Sequence, residues 1–257
     1  MNTHLLCRVR LSRIVGFVIA SLLASGAWAA DLTVSAAASL TNAFQELGPL
    51  FEAAHPGTKV QFNFGGSGAL LQQIAKGAPA DIFASADQET MNQAQSQNLI
   101  QPADRRDFAR NALVVIVPGD SKQVPRALGD LAQPAYKKIA IGLPASVPVG
   151  RYSKSVLEQA GLWSTIEPKM VGAQNVRQAL DYTARGEVEA GFVYATDAAL
   201  MPGKVKVALE VPTPAPILYP IAPVAGSAQM PAARQFIGFL QSAAAQAVLT
   251  RYGFAKP

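Results

Sequence analysis

Strand-like and helix-like segments alternate along the sequence, and this alternation limits the possible folds more than any other feature. Residues 32–36, 59–64 and 190–194 are short apolar runs of strand length, whereas residues 40–54 carry Leu40, Phe44, Leu47 and Phe51 at steps of three or four, as an amphipathic helix does. Alternating strands and helices are typical of mainly parallel sheets covered by helices on both faces. The pattern therefore predicts an α/β protein.

The remaining segments continue this pattern to the end of the chain. Further strands are predicted at 81–84, 111–118, 138–142, 205–209 and 218–224, and further helices at 69–76, 87–97, 149–160, 175–185 and 231–251, the last as one helix or a pair. We expect two lobes, one formed by residues 30–112 and 222–257 and the other by residues 113–221.

The first 29 residues have the pattern of a cleaved secretory signal. Arg8, Arg10 and Arg13 precede an apolar run at 14–23, and small residues stand at Ala27 and Ala29. The apolar run is shorter than the roughly 20 residues of a membrane-spanning helix. We therefore expect export, cleavage after Ala29 and a product that works outside the cytoplasm.

Charge and composition exclude several classes of function. Loss of the signal lowers Lys+Arg from 22 to 19 against 17 acidic residues, so the formal charge falls from +5 to about +2 and nucleic-acid binding loses its support. The one cysteine, Cys7, lies in the signal, which leaves no internal disulfide, and only His55 remains as a histidine, too few for a usual zinc site. We expect no cofactor, no site for a free metal cation and a monomer.

Five junctions where a strand ends and a helix begins consist mainly of small or hydroxyl residues. They lie at residues 36–41, 65–68, 147–150, 173–176 and 193–197, and Asp197 at the end of the last is their one charged residue. Helix N-termini offer unpaired N–H groups and the positive end of a dipole, so such junctions can bind an anion. Ser39 and Ser67 are each either a hydroxyl donor to that ligand or an ordinary helix N-cap, which serine favours.

Enzyme motifs are incomplete. The segment 65–69 resembles a nucleophile elbow around Ser67, but Ala69 replaces a glycine and His55 precedes the serine, so a secreted serine hydrolase stays only as an alternative. Asp81 and Asp87 are expected to act as a hydrogen-bond anchor and a helix cap rather than as an acid–base pair. Arg151 and Arg177 follow predicted helix starts, where a solvated face is the preferred interpretation over contact with an anion.

Seven ordered segments between residues 32 and 254 resemble those of the molybdate-binding proteins of bacterial ABC importers. They are AAASLTNA at 36–43, GAPADIFASAD at 77–87, NALVVIVP at 111–118, VPVGRY at 147–152, NVRQAL at 175–180, GFVYATD at 191–197 and RYGF at 251–254. The resemblance implies a type II periplasmic binding protein whose two lobes close on one tetrahedral oxyanion, with an inner-membrane ABC permease as partner.

The family's ligand contacts fall on Ser39, Ser67, Val149, Val176 and Tyr194. The resemblance implies that the serines give hydroxyl and main-chain N–H donors, the valines main-chain N–H groups and Tyr194 its hydroxyl. An uncharged cage of this kind must bond every oxygen of a buried dianion. It selects molybdate and tungstate by size, since their metal–oxygen bonds are longer than the bonds in sulfate or phosphate. Sulfate, another small oxyanion or a small organic anion remains the alternative ligand.

Overall fold

Two five-stranded sheets with flanking helices make up the described part of the chain in the computed structural model, which covers residues 30–257. The expected signal, residues 1–29, lies outside the described residues. The strands are β1 (Ala30–Ala37), β2 (Thr58–Gly65), β3 (Ile82–Ala84), β4 (Arg106–Asn111), β5 (Leu113–Pro118), β6 (Ile139–Gly142), β7 (Met170–Ala173), β8 (Ala190–Tyr194), β9 (Val205–Val211) and β10 (Ile217–Pro223).

The α-helices follow the strands as the alternation predicts. They are α1 (Thr41–Ala54), α2 (Ser67–Ala75), α3 (Gln88–Ser96), α4 (Pro148–Gln159), α5 (Trp163–Ile166), α6 (Val176–Ala184), α7 (Ala195–Ala198), α8 (Met230–Leu240) and α9 (Ala243–Arg251). Short 3-10 helices occupy Ala38–Leu40, Pro102–Asp104, Leu128–Ala132 and Glu167–Lys169. Among residues 30–257, no helix combines the length and the apolar character needed to cross a membrane.

Both sheets have the same mixed topology. The first has the strand order β2-β1-β3-β10-β4 and the second β7-β6-β8-β5-β9. In the first sheet only β10 runs against its neighbours, and in the second only β5 does so. Four strands of each sheet therefore point the same way, which confirms the prediction of a two-lobed α/β fold with mainly parallel sheets.

The chain crosses between the sheets twice, at Ala112 and at residues 212–216. We call the part that contains the first sheet, residues 30–111 and 217–257, lobe 1, and residues 113–211 lobe 2. The return to lobe 1 comes earlier than the expected residue 222, because all of β10 pairs with β3 and β4. The apolar run that forms β10 carries no signal for which sheet it joins, so the expected boundary was about five residues late.

Aromatic packing fixes α1 and α8 against the first sheet. Phe44 and Phe51 are fully buried on one face of α1. Their ring centroids lie 5.9 and 5.1 Å from that of Phe236 in α8, in edge-to-face geometry. Burying a side chain of this size contributes about 1.5–3 kcal/mol. This packing holds the turn at Ala38–Leu40 in place at the start of α1.

Candidate functional site

A small cavity lies between the two lobes at the ends of several strands. The volume of the cavity is only about 10 Å³. Pockets for drug-sized molecules have volumes of roughly 300–1,000 Å³. Lobe 1 and lobe 2 both contribute, and none of the lining residues is charged. They are Ala37, Ala38, Ser39, Gly65, Gly66, Ser67, Ala86, Val147, Pro148, Val149, Asn175, Val176 and Tyr194. The space suits one compact, non-cationic ligand held by neutral groups.

All five residues singled out by the sequence line this cavity. Ser39 lies in the 3-10 turn after β1, and Ser67 is the first residue of α2. Val149 and Val176 lie in the first turns of α4 and α6, and Tyr194 ends β8. Positions more than 150 residues apart along the chain thus meet at one point, because each follows the carboxyl end of a strand.

The first turns of α2, α4 and α6 present main-chain donors to the cavity. Helix starts leave their first N–H groups without intrahelical partners. Several of these groups bond elsewhere, as the amide of Gly150 does to Val147 O and that of Gln178 to Asn175 Oδ1. The hydrogen bonds found within residues 30–257 leave the amides of Ser67, Val149 and Val176 without an acceptor. Together with the helix dipoles, these amides favour a bound anion.

The hydroxyl of Ser67 is oriented by a main-chain donor. The amide of Ala86 donates to Ser67 Oγ at 3.1 Å. An N–H can only donate, so this bond occupies a lone pair of the oxygen and leaves the hydroxyl proton for another acceptor. Ser67 is fully buried and lines the cavity. The structure thus provides a donor at this point.

Neither Ser39 nor Ser67 caps a helix. The N-cap of α2 is Gly66, the residue before α1 is Leu40, and no side-chain cap bond is present at either start. The N-cap interpretation of the two serines is therefore wrong. Ser39 Oγ instead lies 3.0 Å from the hydroxyl oxygen of Tyr219 in β10.

Tyr194 is a neutral donor at all ordinary pH values. The residue is 1% exposed, and burial, with a smaller effect of nearby Tyr219, raises its pKa well above the usual value. Its nearest recorded partner is the main-chain oxygen of Ala86, at a long 3.5 Å. A bond of that length is weak, so the phenol can turn to a better acceptor in the cavity.

Arg151 and Arg177 connect the lobes and do not line the cavity. Arg151 of α4 donates to Asp87 Oδ2 at 2.8 Å, across the interlobe boundary. Arg177 of α6 pairs with Asp197 at 2.5 Å and donates to Asn42 Oδ1 and to the main-chain oxygen of Ser39 in lobe 1. Their side chains are 22% and 23% exposed. The expectation of a solvated face is wrong, because both side chains bridge the lobes next to the cleft.

Among the described residues around the cavity, Asp197 is the carboxylate whose pKa is shifted most. It is fully buried, and its Oδ2 has no hydrogen-bond partner. Burial raises its pKa to about 6, although the charge of Arg177 acts in the opposite direction. A carboxylate of this kind is neutralised more easily than an exposed one.

Main-chain groups of the two lobes also touch directly. The amide of Gly68 in lobe 1 donates to Ser146 O in lobe 2 at 2.9 Å. A Cβ at Gly68 would lie 2.7 Å from that same oxygen, and one at Gly66 would lie 2.6 Å from Gln174 O. These two glycines therefore permit the lobes to approach each other in the closed arrangement described here.

The other candidate groups have structural partners. Asp81 Oδ2 accepts the amide of Thr33 at 2.8 Å, and Asp87 Oδ1 accepts that of Thr90 at 3.1 Å, as an anchor and a helix cap do. Nδ1 of His55 bonds to Phe51 O at the end of α1, and His55 is not among the residues that line the cavity. Ser67 thus has no histidine base beside it in the described part of the chain.

Three contributors to the site were not identified from the sequence. Ala86 orients Ser67, while Tyr219 and Asn111 lie behind Ser39. Ala86 lies just beyond the carboxyl end of β3, in the segment 77–87. This position was the sequence signal that could have identified it as part of the site. Nothing local distinguishes Tyr219 from a core aromatic residue.

The sequence is similar to those of known bacterial solute-binding proteins over most of its length. The sequence profile of a family described as bacterial extracellular solute-binding protein matches residues 32–255. The chain is similar to the molybdate-binding protein ModA of Escherichia coli, with 37% identity over 229 residues that cover 87% of this chain and 88% of the relative.

Two solved structures have a similar fold. The periplasmic molybdate-binding protein of Azotobacter vinelandii aligns with a TM-score of 0.74 and 27% identity, over 88% of this chain and 99% of that one. The sulfate-binding protein SubI of Mycobacterium tuberculosis aligns with a TM-score of 0.78 but only 19% identity, over 88% of this chain and 87% of that one. The second likeness concerns the fold alone.

Proposed function

Since the chain belongs to the family of bacterial extracellular solute-binding proteins, we propose that it binds molybdate, and with it tungstate, in the interlobe cavity. The bound anion is then delivered to an ABC importer. Ser39, Ser67, Val149, Val176 and Tyr194 are the proposed ligand contacts. The relatives named as molybdate-binding proteins and the full-length match to one of them support this ligand.

One observation carries the proposal: an uncharged cavity lined from both lobes by donors that have no other acceptor. The unpaired amides of Ser67, Val149 and Val176 and the hydroxyl proton of Ser67 all belong to residues that line this space. A buried dianion is stable only if its oxygens are fully hydrogen-bonded. Hydrogen bonds to a charged acceptor are about twice as strong as neutral ones, so several such donors replace a countercharge.

The same set of donors accounts for selectivity. A rigid cage spaced for the longer metal–oxygen bonds of molybdate and tungstate leaves sulfate oxygens too far from some donors. Hydrogen phosphate carries its own O–H, which would face a donor and leave both groups unpaired. Size and protonation therefore discriminate against the more abundant anions, although no cationic side chain lines the cavity.

Closure links binding to transport. The two lobes contact each other around the cavity through Gly68 and Ser146 and through the pair of Arg151 and Asp87. A ligand that bonds to both lobes stabilises this closed arrangement over an open one. The closed surface is what we propose an inner-membrane permease recognises.

We further propose that the protein acts in the periplasm as a monomer after signal cleavage behind Ala29. The basic and apolar pattern of residues 1–29 supports export. Mass spectrometry of the exported protein tests the cleavage site, since a product beginning at Ala30 is expected. Light scattering on the same sample tests the monomer.

Isothermal titration of the purified exported protein with molybdate, tungstate, sulfate and phosphate tests the ligand. We expect tight binding of the first two and at least a hundredfold weaker binding of the others. Absence of binding to molybdate, or equal affinity for sulfate, would refute the proposal, and equal affinity would favour the sulfate alternative.

Serine variants locate the binding site. Ser39→Ala and Ser67→Ala are each expected to weaken molybdate binding by about 1.5–3 kcal/mol, the range for a hydrogen bond to a charged group. Ser96→Ala is the matched control, because Ser96 ends α3 on the surface and its hydroxyl donates to Gln93 O within the same helix. Unchanged affinity in both cavity variants would show that the ligand lies elsewhere.

A further inference from the structure

A chain of hydrogen bonds runs from the interlobe crossing to Ser39. The amide of Ala112 donates to Asn111 Oδ1 at 2.9 Å. Asn111 Nδ2 lies 3.1 Å from the hydroxyl oxygen of Tyr219, and that oxygen lies 3.0 Å from Ser39 Oγ. Asn111 ends the last strand before the first crossing, and Tyr219 lies in the strand that follows the second.

The main-chain amide of Ala112 is the first donor in this series of hydrogen bonds, and it determines the direction of the others. A main-chain N–H can only donate, so the oxygen of the Asn111 amide faces Ala112 and its nitrogen faces Tyr219. The two protons of that nitrogen go to Tyr219 and to Thr196 Oγ1, which lies 2.8 Å away. The phenol oxygen of Tyr219 is therefore an acceptor toward Asn111.

The proton of Tyr219 then has one acceptor among the described residues, Ser39 Oγ. Tyr219 is fully buried, and burial raises the pKa of its phenol well above the usual value, so the proton is retained. If Ser39 donated instead, the buried proton of Tyr219 would remain unpaired, which is unfavourable because a buried donor without an acceptor loses its bonds to water. Ser39 Oγ consequently accepts from Tyr219, and its own proton is available to the cavity.

We propose that Tyr219, oriented by Asn111, is a positioning and specificity residue that makes Ser39 an obligatory hydrogen-bond donor to the bound anion. The inference rests on the proposed oxyanion-binding function and deepens it. Ser67 is oriented in the same sense by the amide of Ala86. Both serine hydroxyls, one in the 3-10 turn after β1 and one at the start of α2, then reject any ligand that brings a proton of its own.

The local backbone supports this role for Tyr219. The pairing of β10 with β4 shifts register between Tyr219 and Pro220. Proline has no amide proton for the ladder, and irregularities of this kind redirect side chains beside binding sites. The ring of Tyr219 is held in edge-to-face contact with Phe108, Tyr194 and Phe254, at centroid distances of 6.4, 5.9 and 5.4 Å.

The test is a double-mutant cycle with Tyr219→Phe and Ser39→Ala, read by titration with molybdate and with phosphate at pH 7. Phenylalanine keeps the ring contacts and removes only the hydroxyl. In Tyr219→Phe, the Ser39 hydroxyl can turn and accept a hydrogen bond from the O–H of hydrogen phosphate. We therefore expect molybdate affinity to fall about three- to twentyfold and the preference for molybdate over phosphate to fall at least tenfold. In the Ser39→Ala background the same substitution should change neither quantity by more than twofold.

Controls separate positioning from loss of packing. Tyr136→Phe removes another buried phenol, in lobe 2 and outside the cavity lining, and should alter neither affinity nor preference. If Tyr219→Phe does not fold, Asn111→Ala removes the upstream donor at a half-buried position and should reduce the preference in the same direction. Effects that add in the cycle, or an unchanged preference, would overturn the inference. Failure of the wild-type protein to bind molybdate would instead refute the proposed function.

Discussion

Arg151 Nε in lobe 2 donates to Asp87 Oδ2 in lobe 1 at 2.8 Å, so the two lobes share an ion pair next to a cavity that contains no charge. Arg151 also donates to Thr90 Oγ1 in lobe 1. The guanidinium thus acts on the closed arrangement and not on the anion itself.

Removal of this interlobe pair is expected to weaken ligand binding without touching the ligand. Arg151→Gln leaves Asp87, whose side chain is 4% exposed, without its partner in the closed form. The loss should be about 1.5–3 kcal/mol in molybdate binding, as for a hydrogen bond to a charged group. Calorimetry measures it, and Arg234→Gln is the control because Arg234 and its partner Asp104 both lie in lobe 1. Wild-type affinity in Arg151→Gln would show that the pair does not contribute to closure.

The main-chain donor at the start of α6 can be removed by one substitution. Val176 is the first residue of the helix, where proline is well accepted, and the preceding Asn175 has an extended backbone that is compatible with it. Val176→Pro deletes the amide proton, and Val176→Ala keeps it while losing similar packing. We expect the proline variant to bind molybdate about 1.5–3 kcal/mol more weakly than the alanine variant. Equal dissociation constants for the two would exclude this amide as a ligand.

Closure should also be sensitive to a single methyl group at Gly68. Its Cβ would lie 2.7 Å from Ser146 O, closer than real contacts allow, but only when the lobes are together. Gly68→Ala should therefore reduce molybdate affinity at least tenfold and leave thermal unfolding of the ligand-free protein nearly unchanged. Gly129→Ala, where a Cβ has no neighbour within 4 Å, is the matched control. A variant that binds as tightly as wild type would contradict this account of the glycine.

Asp197 predicts a definite pH dependence of stability. Burial raises its pKa from 3.8 to about 6 in the folded protein. Between these two values the folded state binds a proton that the unfolded state releases. The stabilisation by this group is therefore fully present below about pH 3.8 and is lost as pH rises through 6. The shift corresponds to a contribution on the order of 3 kcal/mol.

Urea unfolding of the ligand-free wild type and of Asp197→Asn between pH 4 and pH 7 measures this effect. The free energy of unfolding of the wild type, relative to the asparagine variant, should decrease as pH rises across this range. A difference that does not vary with pH would mean that Arg177 holds Asp197 ionised throughout.

Much of the fold could be predicted from the sequence because it depends on local patterns. Local patterns also singled out Ser39, Ser67 and Tyr194, whereas Val149 and Val176 were named by the resemblance to molybdate-binding proteins. Strands such as Ala190–Tyr194 are continuous apolar runs, and Asp87 precedes its helix as a capping residue does. The neutral strand–helix junctions identified the cavity because helix starts at strand ends meet in this class of fold.

Two strands were missed, β4 and β7, and both lie at the edge of a sheet. β4 has the sequence RDFARN, with three charged residues, and β7 consists of four residues. The other two edge strands, β2 and β9, are longer and carry regularly spaced apolar residues, so the sequence predicted them. β4 is too charged and β7 too short to show such a pattern. Sequence periodicity therefore cannot be expected to reveal them.

The contacts behind the site were missed for a different reason. Tyr219 and Ser39 are 180 residues apart, and Arg151 and Asp87 are 64 apart. The first pair depends on how distant segments assemble within lobe 1, and the second on how the two lobes close. No local pattern encodes either arrangement. From the sequence alone, Tyr219 cannot be distinguished from an ordinary core residue, and Arg151 cannot be distinguished from an ordinary surface residue.

The two crossings have a consequence for how the protein acquires its structure after synthesis. The second sheet is built from one continuous segment, Leu113 to Val211, whereas the first needs Ile217–Pro223 between two strands that emerge more than one hundred residues earlier. Chains are made from the N-terminus, and units fold once all their parts are present. The middle of the protein can therefore fold first, while the earliest-made strands remain unpaired and exposed to proteases and chaperones until the last sixth of the polypeptide, from Ile217 onward, is present.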